Sequence, residues 1–378
     1  TNRTTDMHTM QIQDTDFFAF VKMIFKARRT PYIKGPPGSG KSAMTEALAR
    51  ELNEFYKDEG GYGYFEIDMS KANIADWQGF LMPEDETIID ADGQEVKIKA
   101  GKYTYPYWAY DKFTGRPMHT FKRGVIVFEE WAQGEPEVKR AGASMIYGRR
   151  MGLYHFPDFD CILLGNRDID RAGATKEYDH IINRLTIAEM KPTLKNFLIV
   201  ASDFGMTPIT MAFAARNTDK VFAAVAPKEQ GAYMTQRSLH ALDDIVKAGM
   251  SEGRDLDDPI MLIAAAGTVG MEGATDYMAF AKARHEIPTV SEVVRNPSGC
   301  RIPHKLDLMT FLVYDLASKT DRANIAAVAE YIARLQSDMA STYFDALTRR
   351  DKSMINTREF IAYSKANLSL TAAVAMRQ

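Results

Sequence analysis

The stretch Gly35-Pro36-Pro37-Gly38-Ser39-Gly40-Lys41-Ser42 has the spacing G-x-x-x-x-G-K-S. Each residue type in it has a job on a polyphosphate. The glycines let backbone N–H groups converge on phosphate oxygens, where a Cβ would block the approach. Lys41 can reach the β- and γ-phosphates, and the Ser42 hydroxyl suits a Mg²⁺ ligand. Hydrolysis would further need a carboxylate near the metal and a base to orient the attacking water. Glu129 and Glu130, ending the run Gly124–Phe128, supply both: Glu129 beside the metal, Glu130 on the water. A third polar end, Asn166 after Phe159–Gly165, offers an amide to hold that water against the γ-phosphate.

These groups need elements to aim them. Tyr32-Ile33-Lys34 reads as a short strand before the glycine-rich turn. Ala43–Lys57 then places Met44, Ala47, Leu48, Leu52 and Phe55 at helical spacing. Strand, turn and helix in that order form the context the motif requires, with the helix N-terminus adding a favourable dipole for negative charge. Four consecutive apolar residues, Val125–Phe128, suit a strand covered on both faces of a parallel sheet. Tyr64–Asp68 reads as a second core strand and Phe159–Asn166 as a third after it. An Asn at a strand end is by itself a turn residue; its place in this order makes Asn166 a sensor of the γ-phosphate.

Together these residues resemble the AAA+ ATPases, and within them the MoxR-like and dynein-related branch. The segment Phe128–Asp168 is similar to that branch's Walker B strand, helix, hairpin and sensor-1 strand, and the resemblance spans roughly residues 30–250. The family pattern places Asp before Glu, so Glu129 is a departure that bears on metal coordination. By the same resemblance, Arg184 in His180–Leu185 matches the arginine finger, and Arg237 in Thr235–Leu239 matches sensor 2 at the start of a lid helix. A guanidinium stays charged and can fork across phosphate oxygens. Arg149 and Arg150 are further interface candidates, equally explained by pairing with a helix C-terminus. The resemblance implies ATP and Mg²⁺ as cofactors, a cleft between core and lid, and a ring, by family habit a hexamer. It also implies a remodelling motor acting on a protein partner, through a separate adaptor of the von Willebrand factor A type.

Lys41 and Glu130 are separated by 89 positions, and the excess length falls in an insertion at 78–123. Within it Glu95–Lys99 alternates like an exposed strand, and Ala91-Asp92-Gly93-Gln94 offers a hairpin turn. Tyr103, Tyr105, Tyr107, Trp108, Tyr110 and Phe113 crowd into the eleven positions that follow. Two readings stay open: an aromatic loop that grips a polymer or partner, or a small aromatic core holding the insertion together.

Composition sets the outer bounds. A chain of 378 residues with 46% hydrophobic and 26% charged residues is globular and long enough for two domains. Net charge −3 gives no overall basic footprint for nucleic acid, so a nucleic-acid motor is the rival reading and would need a basic pore lining. A nucleotide-dependent scaffold with weak hydrolysis is a second rival, kept by the Glu129 departure. A small-molecule P-loop kinase is a third. Cys161 and Cys300 have no metal-like spacing and read as reduced, packed thiols. Residues 1–16 are polar, and no run approaches the roughly 20 apolar residues of a membrane span, which points to the cytoplasm.

The expected fold is α/β: a three-layer P-loop NTPase core of parallel sheet over 30–205, after a helical lead-in at 1–29. A helical lid at 206–290 and a helical C-terminal extension at 291–378 follow. Helices are expected near Met206–Arg216, Gln236–Ala248, Pro259–Thr268 and Ala274–His285, with a connecting loop at Glu286–His304. One long amphipathic helix is expected over Asn324–Thr348.

Overall fold

Side-chain alternation along four strands builds the first unit. In the computed structural model, which describes residues 10–151, 154–167, 179–222, 231–282 and 287–367, the chain divides into Thr1–Lys191 and Pro192–Gln378. Parts of the expected lead-in, hairpin segment, lid and extension therefore lie outside the described residues, among them Gly152, Leu153, Asp168 and His285.

The first unit carries a six-stranded sheet, every pairing parallel. Its strands are β1 (Gln11–Gln13), β2 (Thr30–Lys34), β3 (Gly63–Asp68), β6 (Gly124–Glu129), β9 (Phe159–Gly165) and β10 (Leu185–Lys191), in the order β1-β10-β2-β9-β6-β3. Successive side chains point to opposite faces. Ile33, Tyr64, Val125, Val127, Ile162 and Leu164 bury one face against α1 (Phe17–Lys26) and α2 (Lys41–Phe55). Tyr32, Phe65, Ile67, Ile126, Phe128, Cys161 and Leu163 bury the other against α3 (Ile74–Gln78), α4 (Pro136–Gly148) and α5 (Asp179–Ile182). Both faces covered is what near-continuous apolar strands predict, and the result is three layers. The expectation missed β1 and β10: Leu185–Lys191 alternates only weakly, and it is a strand because β2 offers it a ladder from Leu185↔Thr30 to Glu189↔Lys34. Phe55, expected on the buried stripe of α2, is 76% exposed at the helix end.

Two small ribbons complete this unit. β4 (Leu81–Ile89) and β5 (Glu95–Tyr103) pair antiparallel through a turn in which Gly93 has φ 79° and Asp90 Oδ1 accepts from the Asp92 and Gln94 amides. β7 (Arg150–Met151) and β8 (Tyr154–His155) form the second, shorter pair.

Every element the structure assigns in the second unit is helical. A single apolar core joins α6 (Leu194–Asp203), α7 (Pro208–Arg216), α9 (Gln236–Ser251), α10 (Pro259–Lys282) and α12 (Leu306–Lys319) to the elements that follow. The two helices expected over 259–285 are there as the two arms of α10, divided at Gly270, whose non-helical backbone (φ 78°, ψ 159°) is open to glycine at little cost. The single helix expected over Asn324–Thr348 is two: α13 (Ile325–Ile332) and α14 (Ser337–Arg350). Gln336 is extended between them (φ −61°, ψ 149°), which lets Val328 and Ile332 and then Tyr343 and Leu347 all reach the core. A six-residue helix, α11 (Val290–Arg295), interrupts the expected connecting loop, started by a reciprocal Thr289–Glu292 capping box. Among the described residues no helix is long and apolar enough to cross a membrane.

Candidate functional site

The carboxyl ends of β2, β9 and β6 lie side by side, the edge of a parallel sheet where ligands bind. After β2 the chain turns through Gly35–Gly40 and enters α2 at Lys41. Gly38 and Gly40 hold φ of 72° and 83°, a region that strains any side chain carrying a Cβ. Gly35 is closed in differently: a Cβ there would lie 3.2 Å from Met190 O and 3.3 Å from Ser39 Oγ. Pro36 and Pro37 bring no N–H of their own, and Pro36 O accepts from the Ser39 amide at 3.2 Å. Lys41 is 8% exposed, and its Nζ donates to Gly35 O and Pro36 O at 3.0 Å each. The ammonium is thus folded over the loop it would share with a phosphate. Ser39 Oγ is buried without a hydrogen-bond partner, a cost unless something outside the chain satisfies it.

Opposite the loop, Glu129 closes β6, and the Ser42 hydroxyl acts on its carboxyl to favour the ionised form. Its Oε1 is buried and unpartnered. Burial, then the negative charges of Glu66 and Glu130, push its carboxyl up to about 7, against the Ser42 hydrogen bond and the Lys41 charge. A carboxyl so placed gains from a nearby cation, which favours its ionised form. Among the described residues no group of three or more His, Cys, Asp or Glu could hold a metal. A cation here would instead rest on Ser42 and Glu129 with oxygens from outside the chain, the habit of Mg²⁺.

Glu130 leaves the strand at once. Its backbone is left-handed (φ 50°, ψ 39°), an uncommon state for a non-glycine residue that clusters at functional sites. The bend turns its carboxylate toward β9, where Asn166 Nδ2 donates to Glu130 Oε2 at 2.9 Å. Asn166 Oδ1 in turn faces Lys41 Nζ at 3.4 Å. Because β9 runs between β2 and β6, Asn166 is the residue that can touch both the loop's lysine and the second glutamate. Gln133 adds a donor to the same Oε2 at 2.9 Å. Sequence reasoning missed Gln133; its only signal was its place three residues after Glu130.

The four arginines sit on different elements. Arg184 is exposed in the turn after α5, a single helical turn, and its guanidinium stacks 3.9 Å from the centre of the Tyr147 ring. Arg237 is exposed in the first turn of α9, within the second unit. Arg149 closes α4: it is left-handed and donates to Met145 O and Ile146 O at 3.1 and 2.6 Å. The helix C-terminus therefore accounts for Arg149, while Arg150 is exposed at the start of β7.

The insertion's aromatic residues divide. Trp108 is 2% exposed, stacks on Trp77 at 4.7 Å and donates from Nε1 to Trp77 O at 2.9 Å. Trp77 in turn packs on Phe128 of β6 at 5.6 Å. Trp108 thus cannot grip a polymer; it ties the insertion to the sheet face. Tyr107 beside it is 62% exposed. Lys112 N donates to Tyr64 O at 2.9 Å and Asp111 Oδ1 accepts from Tyr64 N at 2.7 Å, so this segment also covers the open edge of β3.

No family model matches the chain, and no curated protein matches it. Among solved structures it is similar to a presumed ATPase of Cytophaga hutchinsonii, at 10% identity and TM-score 0.31, covering 90% of this chain and 83% of that one. It is also similar to a chain of the Drosophila ORC bound to DNA, at 12% identity and TM-score 0.36, covering 96% and 78%. A third is NtrX of Brucella abortus in complex with ATP, at 13% and 0.33, covering 96% and 70%.

Proposed function

We propose that the chain binds ATP with Mg²⁺ at Gly35–Ser42 and hydrolyses it, as an ATPase of the AAA+ type. The observation that carries this reading is the convergence on one sheet edge of a glycine cradle, Lys41, the Ser42–Glu129 pair and the linked Asn166 and Glu130. Gly38, Ser39 and Gly40 would present backbone N–H groups to phosphate, and Lys41 would exchange its loop carbonyls for phosphate oxygens. Ser42 and Glu129 would hold Mg²⁺, which supplies charge neutralisation between the β- and γ-phosphates. Glu130 would accept from the attacking water and Asn166 would fix it against the γ-phosphate. The resemblance to the MoxR-like branch supports the rest: a ring, by family habit a hexamer, in which Arg184 reaches a neighbour's phosphate. Such a ring would remodel a protein partner through a separate adaptor. Arg237 enters as a sensor by the same resemblance.

The test is steady-state ATPase against protein concentration for wild type, Glu130→Gln, Arg184→Ala and equimolar mixtures of the two. Activity that climbs with concentration, falls to a small residual rate in each variant and partly returns in the mixture is expected, because the mixture pairs an intact finger with an intact site. A finger supplied in trans accelerates phosphoryl transfer by about 10³–10⁵. Activity linear in protein and indifferent to Arg184 would sink the ring. A nucleotide-dependent scaffold with weak hydrolysis is the second reading, kept by Glu129 standing where the family pattern has Asp. It predicts nucleotide binding with turnover near background in every mixture.

A further inference from the structure

Glu130 receives two side-chain hydrogen bonds, and both land on the same oxygen. Asn166 Nδ2 and Gln133 Nε2 each donate to Oε2 at 2.9 Å. An ionised carboxylate only accepts, so each amide must present its NH₂ group here. The two donors come from independent places, Asn166 from the end of β9 and Gln133 from the 3-10 turn Trp131–Gln133. Gln133 is bound to Glu130 a second time, its backbone N donating to Glu130 O at 2.9 Å. The turn itself is fixed, since Trp131 and Ala132 are buried and the Trp131 ring meets Phe128 edge-on at 5.4 Å. Gln133 therefore reaches Glu130 from a rigid base.

We propose that Gln133 is a positioning residue: with Asn166 it pins Oε2 of Glu130 and so presents Oε1 to the attacking water. A carboxylate with one anchored oxygen cannot swing to offer either oxygen in turn, and a base that misses its proton by an ångström loses much of its effect. This rests on the hydrolase reading above. Gln133 is also the cleaner of the two donors to test. Asn166 touches Lys41 as well as Glu130, so its removal disturbs the phosphate loop, whereas the side-chain hydrogen bond of Gln133 goes to Glu130.

The experiment compares wild type, Gln133→Ala and Gln133→Glu, each also in the Glu130→Gln background. The readouts are steady-state and single-turnover ATPase, affinity for a fluorescent ATP analogue, and the thermal midpoint. Gln133→Ala should lower kcat about tenfold, a part of the roughly 10²–10⁴ that a positioned base supplies. KM and analogue affinity should stay within about twofold, because no group on the phosphates has changed. Gln133→Glu keeps the size, removes the donor and adds a like charge, and should lose more than Gln133→Ala. In the Glu130→Gln background neither change should cost further rate. A wild-type kcat in Gln133→Ala, or a loss that persists undiminished beside Glu130→Gln, overturns the positioning role while the hydrolase reading stands. Absence of turnover in the wild type overturns both.

Discussion

The glycine-loop edge and the insertion after α3 are both rich in distinctive side chains, yet residue type pointed one way in the first and left two readings open in the second. At the loop, each residue's conformation and contacts follow from its covalent structure: glycines tolerate φ of 72° and 83°, and a lysine reaches what lies before its helix. In the insertion, Tyr107 and Trp108 are neighbours of similar chemistry, and one is 62% exposed while the other is 2% exposed. Nothing local separates them. A charged or strained group declares its purpose, while an aromatic ring serves a core or a surface equally well.

The sharpest way to break this comparison is Trp108→Ala. It should destabilise the first unit by about 3–5 kcal/mol, as truncation of a buried aromatic does, read by denaturant unfolding. A loss below about 1 kcal/mol would return Trp108 to the gripping role. Lys41→Ala should do the opposite, lowering turnover by about 10²–10³ through lost electrostatic stabilisation and weakening nucleotide binding. Its unfolding midpoint should move less than that of Trp108→Ala; a larger shift would make the loop a structural element first.

Glu129 gives a third handle, on pH. Its folded value of about 7 lies above the ordinary glutamate value of 4.5, so the folded protein holds a proton the unfolded chain has released. Its contribution to stability is therefore full below about pH 4.5 and is lost as pH rises through about 7. Without nucleotide or metal, Glu129→Gln should be more stable than wild type at pH 8 by about 1–3 kcal/mol, with the gap closing toward pH 5. A gap independent of pH would mean the carboxyl titrates normally. The smallest effect belongs to Tyr107→Ala, expected within about 0.5 kcal/mol of wild type. Together with Trp108→Ala it measures how far two adjacent rings differ in role.

Much of the candidate site's placement was legible in the sequence. Gly35–Ser42, Glu129, Glu130 and Asn166 all stand at the ends or turns where strand and helix periodicity placed them. What was not legible is what distant segments do to one another. Leu185–Lys191 became a strand because β2 was there to pair with it. The expected helix over Asn324–Thr348 broke between Ile332 and Ser337 although no proline or glycine lies there, and both halves bury side chains in the same core.

By itself the sequence determined the local chemistry: a loop whose glycines and lysine suit phosphate, strands whose alternation demands a covered sheet, and a pair of glutamates at a strand end. Tertiary structure alone decided the strand order, which sets Asn166 between Lys41 and Glu130. It also decided that Gln133 and Asn166 share one carboxylate oxygen, and that Trp108 is core. The physical reason is range. Backbone preference and side-chain pattern act over a few residues, whereas pairing partners and burial depend on segments tens of residues apart that meet only in the folded chain.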